Sequence, residues 1–201
     1  MGESDLMING IQYQPDYIRV AGSPEFESTG GYSSMLFIKG QKFENIRVAY
    51  DIVSDKPLLV QEYGNGLENR IELFRSRVDS FTIGNHLFIN PAAFIDNFQG
   101  SGYYEKVSSG NIMFVKKYRK AYIRIYDNQN RGKYSPQQNT CYLLDSKGKL
   151  TQIKSRQSFV RAFPLNRQDI RHYLNENKIN FRKSSNSSLR ELMNFSNSLV
   201  I

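Results

Sequence analysis

The sequence predicts an α+β protein: mainly antiparallel β, as a sandwich or barrel-like sheet, followed by two or three C-terminal helices. Apolar residues recur at near-period-two spacing from Met35 to Ile153, with turn residues between the runs, and after Lys154 the apolar spacing becomes helical. The chain holds 13 Tyr and 13 Phe but no Trp, and aromatic side chains suit a pleated, half-buried surface. Strands first and helices last is the order of an antiparallel sheet with segregated helices.

Residues 1–34 read as an irregular arm with at most a short strand at 17–21, since they hold little periodicity and end in a Ser, Thr and Gly cluster. An antiparallel β domain is expected over 35–154. Leu36, Phe37 and Ile38 lead into a turn at 39–42, and Phe43, Ile46, Val48, Tyr50 and Ile52 then mark a hairpin entering a long strand. A strand at 58–63 closes on Gly64-Asn65-Gly66, residues that tolerate positive φ. Strands at 71–74, 78–83 and 86–90 follow, then 102–107, a turn at 108–111, and 112–126 as one long strand or a pair broken near Tyr118. The polar stretch 127–139, with Gly132 and Pro136, predicts a mobile loop. Residues 140–144 and 150–153 flank a hairpin turn at 145–149.

A basic helical segment is expected over 155–201. Ser155 is placed to cap a short helix running through Phe163, where Pro164 stops it. Asn166 with Asp169 three residues on resembles a capping box, and Ile170, Tyr173 and Leu174 form the apolar stripe of a second helix. Residues 184–188 introduce a third, with Leu189, Leu192, Met193 and Phe195 facing inward.

Charge divides the chain. Residues 1–100 hold 8 Lys and Arg against 13 Asp and Glu, net −5, whereas 101–201 hold 19 against 6, net +13. A field of one sign over such a length attracts polyanions or an acidic partner. Cys141, the one cysteine, excludes an intramolecular disulfide and reads as a small buried strand residue. His86 and His172 lack zinc-ligand spacing, Gly64-Asn65-Gly66 lacks the Lys and Ser/Thr of a phosphate loop, and no Ser stands in a nucleophile elbow. The carboxylate pairs Glu25 with Glu27 and Asp51 with Asp55 are expected to be solvated. No cofactor or metal is implied. No run of about 18 apolar residues predicts a membrane-spanning helix. The opening Met1-Gly2-Glu3-Ser4-Asp5-Leu6 lacks the regions of a signal peptide, so the expectation is a cytoplasmic protein or one whose leader has been removed.

Several short stretches resemble a group of uncharacterised exported proteins of Bacteroidota, strand-rich with a helical C-terminal tail. They are Gly102-Tyr103-Tyr104-Glu105, Lys116-Lys117-Tyr118-Arg119-Lys120, Tyr142-Leu143-Leu144 with Gly148-Lys149-Leu150, Ser158-Phe159 through Phe163-Pro164, and Leu192-Met193-Asn194-Phe195-Ser196-Asn197. The resemblance spans about residues 35–200. It implies the same fold and a periplasmic or outer-membrane-associated location, and it assigns no catalytic residue.

Two surfaces are candidates. Tyr118, Lys120, Tyr122, Arg124 and Tyr126 alternate, which on an unbroken strand puts all five on one face, with Ala121, Ile123 and Ile125 on the core side. Aromatics interleaved with cations could stack bases and neutralise phosphates, although tyrosines and cations also alternate on ordinary solvated strands. Arg161, Arg167 and Arg171 stand for the basic helical surface, although long cationic side chains also make up ordinary solvated helix faces. The expected function is non-enzymatic: a cell-envelope protein serving as an interaction or accessory subunit of an outer-membrane or periplasmic complex. Its expected partners are another envelope protein and acidic lipid head groups. The alternative is a binder of nucleic acid or another polyanion through the basic C-terminal half.

Overall fold

A computed structural model describes residues 10–28, 32–64, 66–125, 131–181 and 183–199. The arm contributes β1 (Ile11–Gln12) and β2 (Val20–Ala21). The strands β3 (Tyr32–Ile38), β4 (Gln41–Asp51), β5 (Lys56–Glu62), β6 (Glu68–Glu72), β7 (Val78–Ile83), β8 (His86–Ile89), β9 (Tyr104–Lys106) and β10 (Ile112–Arg119) follow. Next come β11 (Tyr122–Arg124), β12 (Gly132–Tyr134), β13 (Gln138–Asp145) and β14 (Leu150–Ile153), then α1 (Arg156–Ala162), α2 (Arg167–Glu176) and α3 (Asn186–Ser198). The fold is α+β. Eleven strands form one sheet in the order β1-β6-β5-β4-β3-β7-β8-β9-β10-β13-β14, and β11-β12-β2 form a second. The large sheet has two ends, β1 and β14, and does not close into a barrel.

The large sheet is nevertheless strongly curled. Between β5 and β10 lie six ladder steps, which in a flat sheet would separate them by about 29 Å. Yet Lys117 Nζ on β10 donates to Asp55 Oδ2 in the β4–β5 turn at 2.9 Å. The concave face closes on Leu36, Ile38, Val48, Tyr50, Phe81, Phe88, Tyr103 and Tyr118. Their rings meet largely edge to face, Tyr50 with Phe88 at 5.1 Å and Phe81 with Tyr103 at 5.0 Å, the arrangement that ring quadrupoles favour. Lys39 and Gly40 supply the left-handed pair, φ +49° and +79°, that a two-residue turn between β3 and β4 requires.

A second core forms where α1, α2 and α3 cover β10, β13 and β14. Phe114, Cys141, Leu143 and Ile153 from the strands meet Phe159, Val160, Ile170, Leu174, Leu189, Leu192 and Met193 from the helices. β10 serves both cores with one face: Phe114 enters the second and Tyr118 the first.

Some local expectations need correction. The stretch 127–139 is not one loop: Gly132–Tyr134 is β12 and β13 begins at Gln138, while 127–130 lie outside the described residues. The strand expected at 71–74 is Glu68–Glu72: Leu73 N–H still donates to Pro57 O in register, but the proline has no N–H to return and the ladder stops there. Asn166 occupies the N-cap of α2, but its φ of −115° and ψ of 30° are not extended and its side chain makes no cap bond. Phe195 is half-buried rather than fully inward, stacked on Tyr173 at 4.5 Å.

Candidate functional site

β10 ends where its neighbour begins, at the Arg119–Gln138 pair. Beyond it, the Lys120 ammonium donates to the carbonyl oxygens of Ser23 and Glu25 at 3.0 and 2.5 Å. The chain then changes partners: Ala121 N–H donates to Ser135 Oγ at 2.9 Å, and Ser135 N–H to Ala121 O at 2.8 Å. β11 pairs with β12, which pairs in parallel with β2 from the arm. This switch breaks the alternation expected across 118–126. Tyr118 is buried in the first core with its hydroxyl on Glu105, Lys120 is held by the arm, and Tyr122 and Arg124 belong to the small sheet. Tyr126 lies outside the described residues. Ala121, Ile123 and Ile125, expected on the core side, are exposed, with Ile123 and Ile125 at 40% and 37%.

The small sheet therefore carries an apolar surface. Tyr17 stacks flat on Tyr122 at 4.0 Å, and the Tyr122 hydroxyl donates to Arg131 O at 2.8 Å. Gly132 lies directly beneath the Tyr122 ring, where a Cβ would collide with it. Ile18, 65% exposed, borders the same place. An open cleft of about 320 Å³ runs between Asp16, Tyr17, Ile18, Tyr122, Arg124 and Arg131. Arg161, Arg167 and Arg171 are on α1 and α2, in the layer covering β10, β13 and β14, and form a separate surface.

Sequence reasoning missed the buried carboxylates. Glu105, 1% exposed, lies between the two cores and accepts from Tyr118 OH at 2.8 Å and Asn186 Nδ2 at 2.6 Å, with His86 Nδ1 at 2.5 Å. Lys116 Nζ donates to Asn186 Oδ1 at 2.6 Å, tying β10 to the start of α3. Burial pushes the Glu105 carboxyl up, but hydrogen bonds from His86 and Tyr118, with the nearby charges of His86 and Lys116, bring it below its ordinary value. The hydrogen bond to Glu105 raises His86 against the opposing effect of its own burial.

Glu25 and Asp51, expected to be solvated, are buried. Asp51 accepts from Tyr13 OH and from the N–H groups of Val53 and Ser54, while Arg70 pairs with Glu25 at 3.3 Å. Burial raises the Glu25 carboxyl above its ordinary range, more than Arg70 lowers it. Asp55 stands in the left-handed region at φ +59° and gathers Tyr50 OH, Lys117 Nζ and the Tyr103 N–H. Desolvation lowers the Lys117 ammonium despite that carboxylate. These positions carry no sequence signal, because a lone carboxylate in a strand or turn reads the same whether its partners lie nearby or 50 residues away.

Each of the Glu105 and Asp55 clusters is internally satisfied and joins elements distant in sequence, the arrangement that makes a buried charge tolerable. Among the described residues no three His, Cys, Asp or Glu converge to hold a metal ion, and no helix is long and apolar enough to cross a membrane. Comparison with protein families, curated proteins and solved structures finds no match to this chain.

Proposed function

We propose that the protein is a non-enzymatic binding module of the cell envelope, an accessory subunit that meets another protein through the β2–β12–β11 sheet. One observation carries this reading: the small sheet, outside both cores, leaves apolar side chains exposed, with Ile18 in the cleft beside the Tyr17–Tyr122 stack and Arg131, Ile123 on β11 and Ile125 just beyond it. Apolar side chains with an aromatic and arginine border are the makings of a protein contact. The envelope setting rests on the resemblance of residues 35–200 to exported strand-rich proteins. The polyanion reading draws less support, since its stacking face needed Tyr118, which is in the core.

Affinity capture from envelope fractions, with a photo-crosslinking residue in place of Ile123, tests the reading. A partner crosslinked at that position and lost in the Ile18→Asp/Ile123→Asp double variant is the expected result. Recovery of the protein alone, or of a partner indifferent to the double variant, overturns it.

A further inference from the structure

The turn between α1 and α2 presents a feature the small sheet does not explain. Leu165 is 94% exposed, the most exposed of the large apolar residues described. Its two sides are anchored: Phe163 is buried at the end of α1 with its N–H on Val160 O, Asn166 N–H closes the turn onto Phe163 O at 3.3 Å, and Ile170 is fully buried one turn into α2. Leu165 thus projects from a rigid mount rather than a frayed end. Arg161, Arg167 and Arg171 flank it in sequence, all exposed and without an ion pair among the described residues, against one carboxylate, Asp169, in the same stretch.

A single exposed leucine is ordinary on a protein surface. The combination is not: a firmly held, projecting apolar tip has exposed cations before and after it in sequence. Of the rings in this stretch, Phe159 and Phe163 are buried and Tyr173 packs on Phe195, while the exposed His172 is taken up by Glu176 at 3.1 Å. A lipid surface accepts such a shape, since acyl chains take up an apolar tip of any outline and anionic head groups meet the arginines. From this geometry we infer that the α1–α2 turn is a contact for an anionic lipid bilayer, with Leu165 entering the interface and Arg161, Arg167 and Arg171 on the head groups. The contact is reversible, because one leucine and three cations fall far short of an anchor. It is independent of the protein contact at the small sheet.

Co-sedimentation of the full chain with vesicles of phosphatidylcholine, with and without phosphatidylglycerol, provides the test. Binding should require phosphatidylglycerol and weaken with salt. Reversing Arg161, Arg167 and Arg171 to Glu should lower the partition at least about a hundredfold, at roughly fivefold for each cation lost. Leu165→Ser should lower it roughly tenfold, as expected for withdrawing most of a leucine side chain from apolar surroundings. Circular dichroism should be unchanged in both variants, and the Ile18→Asp/Ile123→Asp variant should bind vesicles like the parent. Absence of binding at low salt, binding indifferent to phosphatidylglycerol, or full binding by Leu165→Ser overturns the inference. Single-stranded RNA binding at least as tightly, lost with the arginines but indifferent to Leu165, reassigns the surface to nucleic acid and overturns it as well.

Discussion

In the curled part of the sheet carboxylates turn inward, whereas in the helix-covered part cations turn outward. Glu25, Asp51 and Glu105 are buried, and Asp55 gathers four elements of the chain around one side chain. Further carboxylates on β5 and β6 are held in ion pairs, Glu62 and Glu68 with Arg47, and Glu72 with Lys56. Arg161, Arg167 and Arg171 on the helices have no such partners among the described residues. The charge split in the sequence is therefore not a pair of matched surfaces. Part of the acidic excess is internal scaffolding of a sheet that must curl back on itself, whereas Arg161, Arg167 and Arg171 of the basic half are exposed.

The difference has a mechanical cause. A curled sheet brings turns and strands of distant sequence together, and carboxylates such as Asp55 and Glu105 bridge their polar groups. The helix-covered end is a sheet face closed by a separate layer, so the charged side chains of α1 and α2 can point away. β10 belongs to both, and Lys116, Glu105 and Asn186 mark the seam.

The largest test asks whether these are two folding units. Phe88→Ala in the first core and Phe159→Ala in the second should each cost about 3–5 kcal/mol, since both rings are fully buried. Because β10 carries both cores, urea unfolding followed by helix circular dichroism and by tyrosine fluorescence should give one coincident transition in each variant. Helix signal lost ahead of the tyrosine signal in Phe159→Ala would separate the two ends and dissolve the comparison.

Legibility in the sequence follows the same division. The strand at 78–83, the 145–149 hairpin and the Ser155 and Pro164 limits of α1 rest on neighbours a few residues away, and the structure agrees with them; the turn expected at 39–42 is tightened to Lys39 and Gly40, with Gln41 and Lys42 already in β4. The curl, the transfer of β11 from one sheet to another and the role of Glu105 depend on distant partners, 81 residues away for Glu105 and Asn186 and 112 (132 − 20) for Gly132 and Val20. Alternation in Tyr118, Lys120, Tyr122 and Arg124 was real as a pattern. It failed as geometry because the backbone changed partners at Lys120, and the two-residue period has meaning only within one unbroken strand.

The seam supplies the next test. His86 titrates above its ordinary 6.5, so its contribution is complete below that pH and is lost as pH rises through the raised value. Glu105 titrates below its ordinary 4.5, so its contribution is complete above that pH and is lost as pH falls through the lowered value. Both are whole only between these two ordinary values. Urea stability of the parent should peak there relative to His86→Gln, by about 1–2 kcal/mol, and the advantage should shrink toward alkaline pH. An advantage that stays constant across the range would mean that His86 acts through packing on Phe26, 5.0 Å away, and not through its charge.

The smallest effect concerns the helix-covered end alone and sets a local signal against the packing around it. Ser155 and Asn166 carry the same kind of cap signature, yet only Ser155 acts on it: its hydroxyl accepts from Ser158 N–H at 3.2 Å while Ser158 Oγ accepts from Ser155 N–H at 2.9 Å. Ser155→Ala should therefore cost about 1 kcal/mol. Asn166→Ala should cost only a few tenths, because no cap bond is lost and α2 is held by Ile170 and Leu174 against the core. Equal losses in the two variants, measured by urea unfolding, would mean that Asn166 caps α2 in solution, and that the outward-facing layer depends on local capping as much as the inner one depends on its carboxylates.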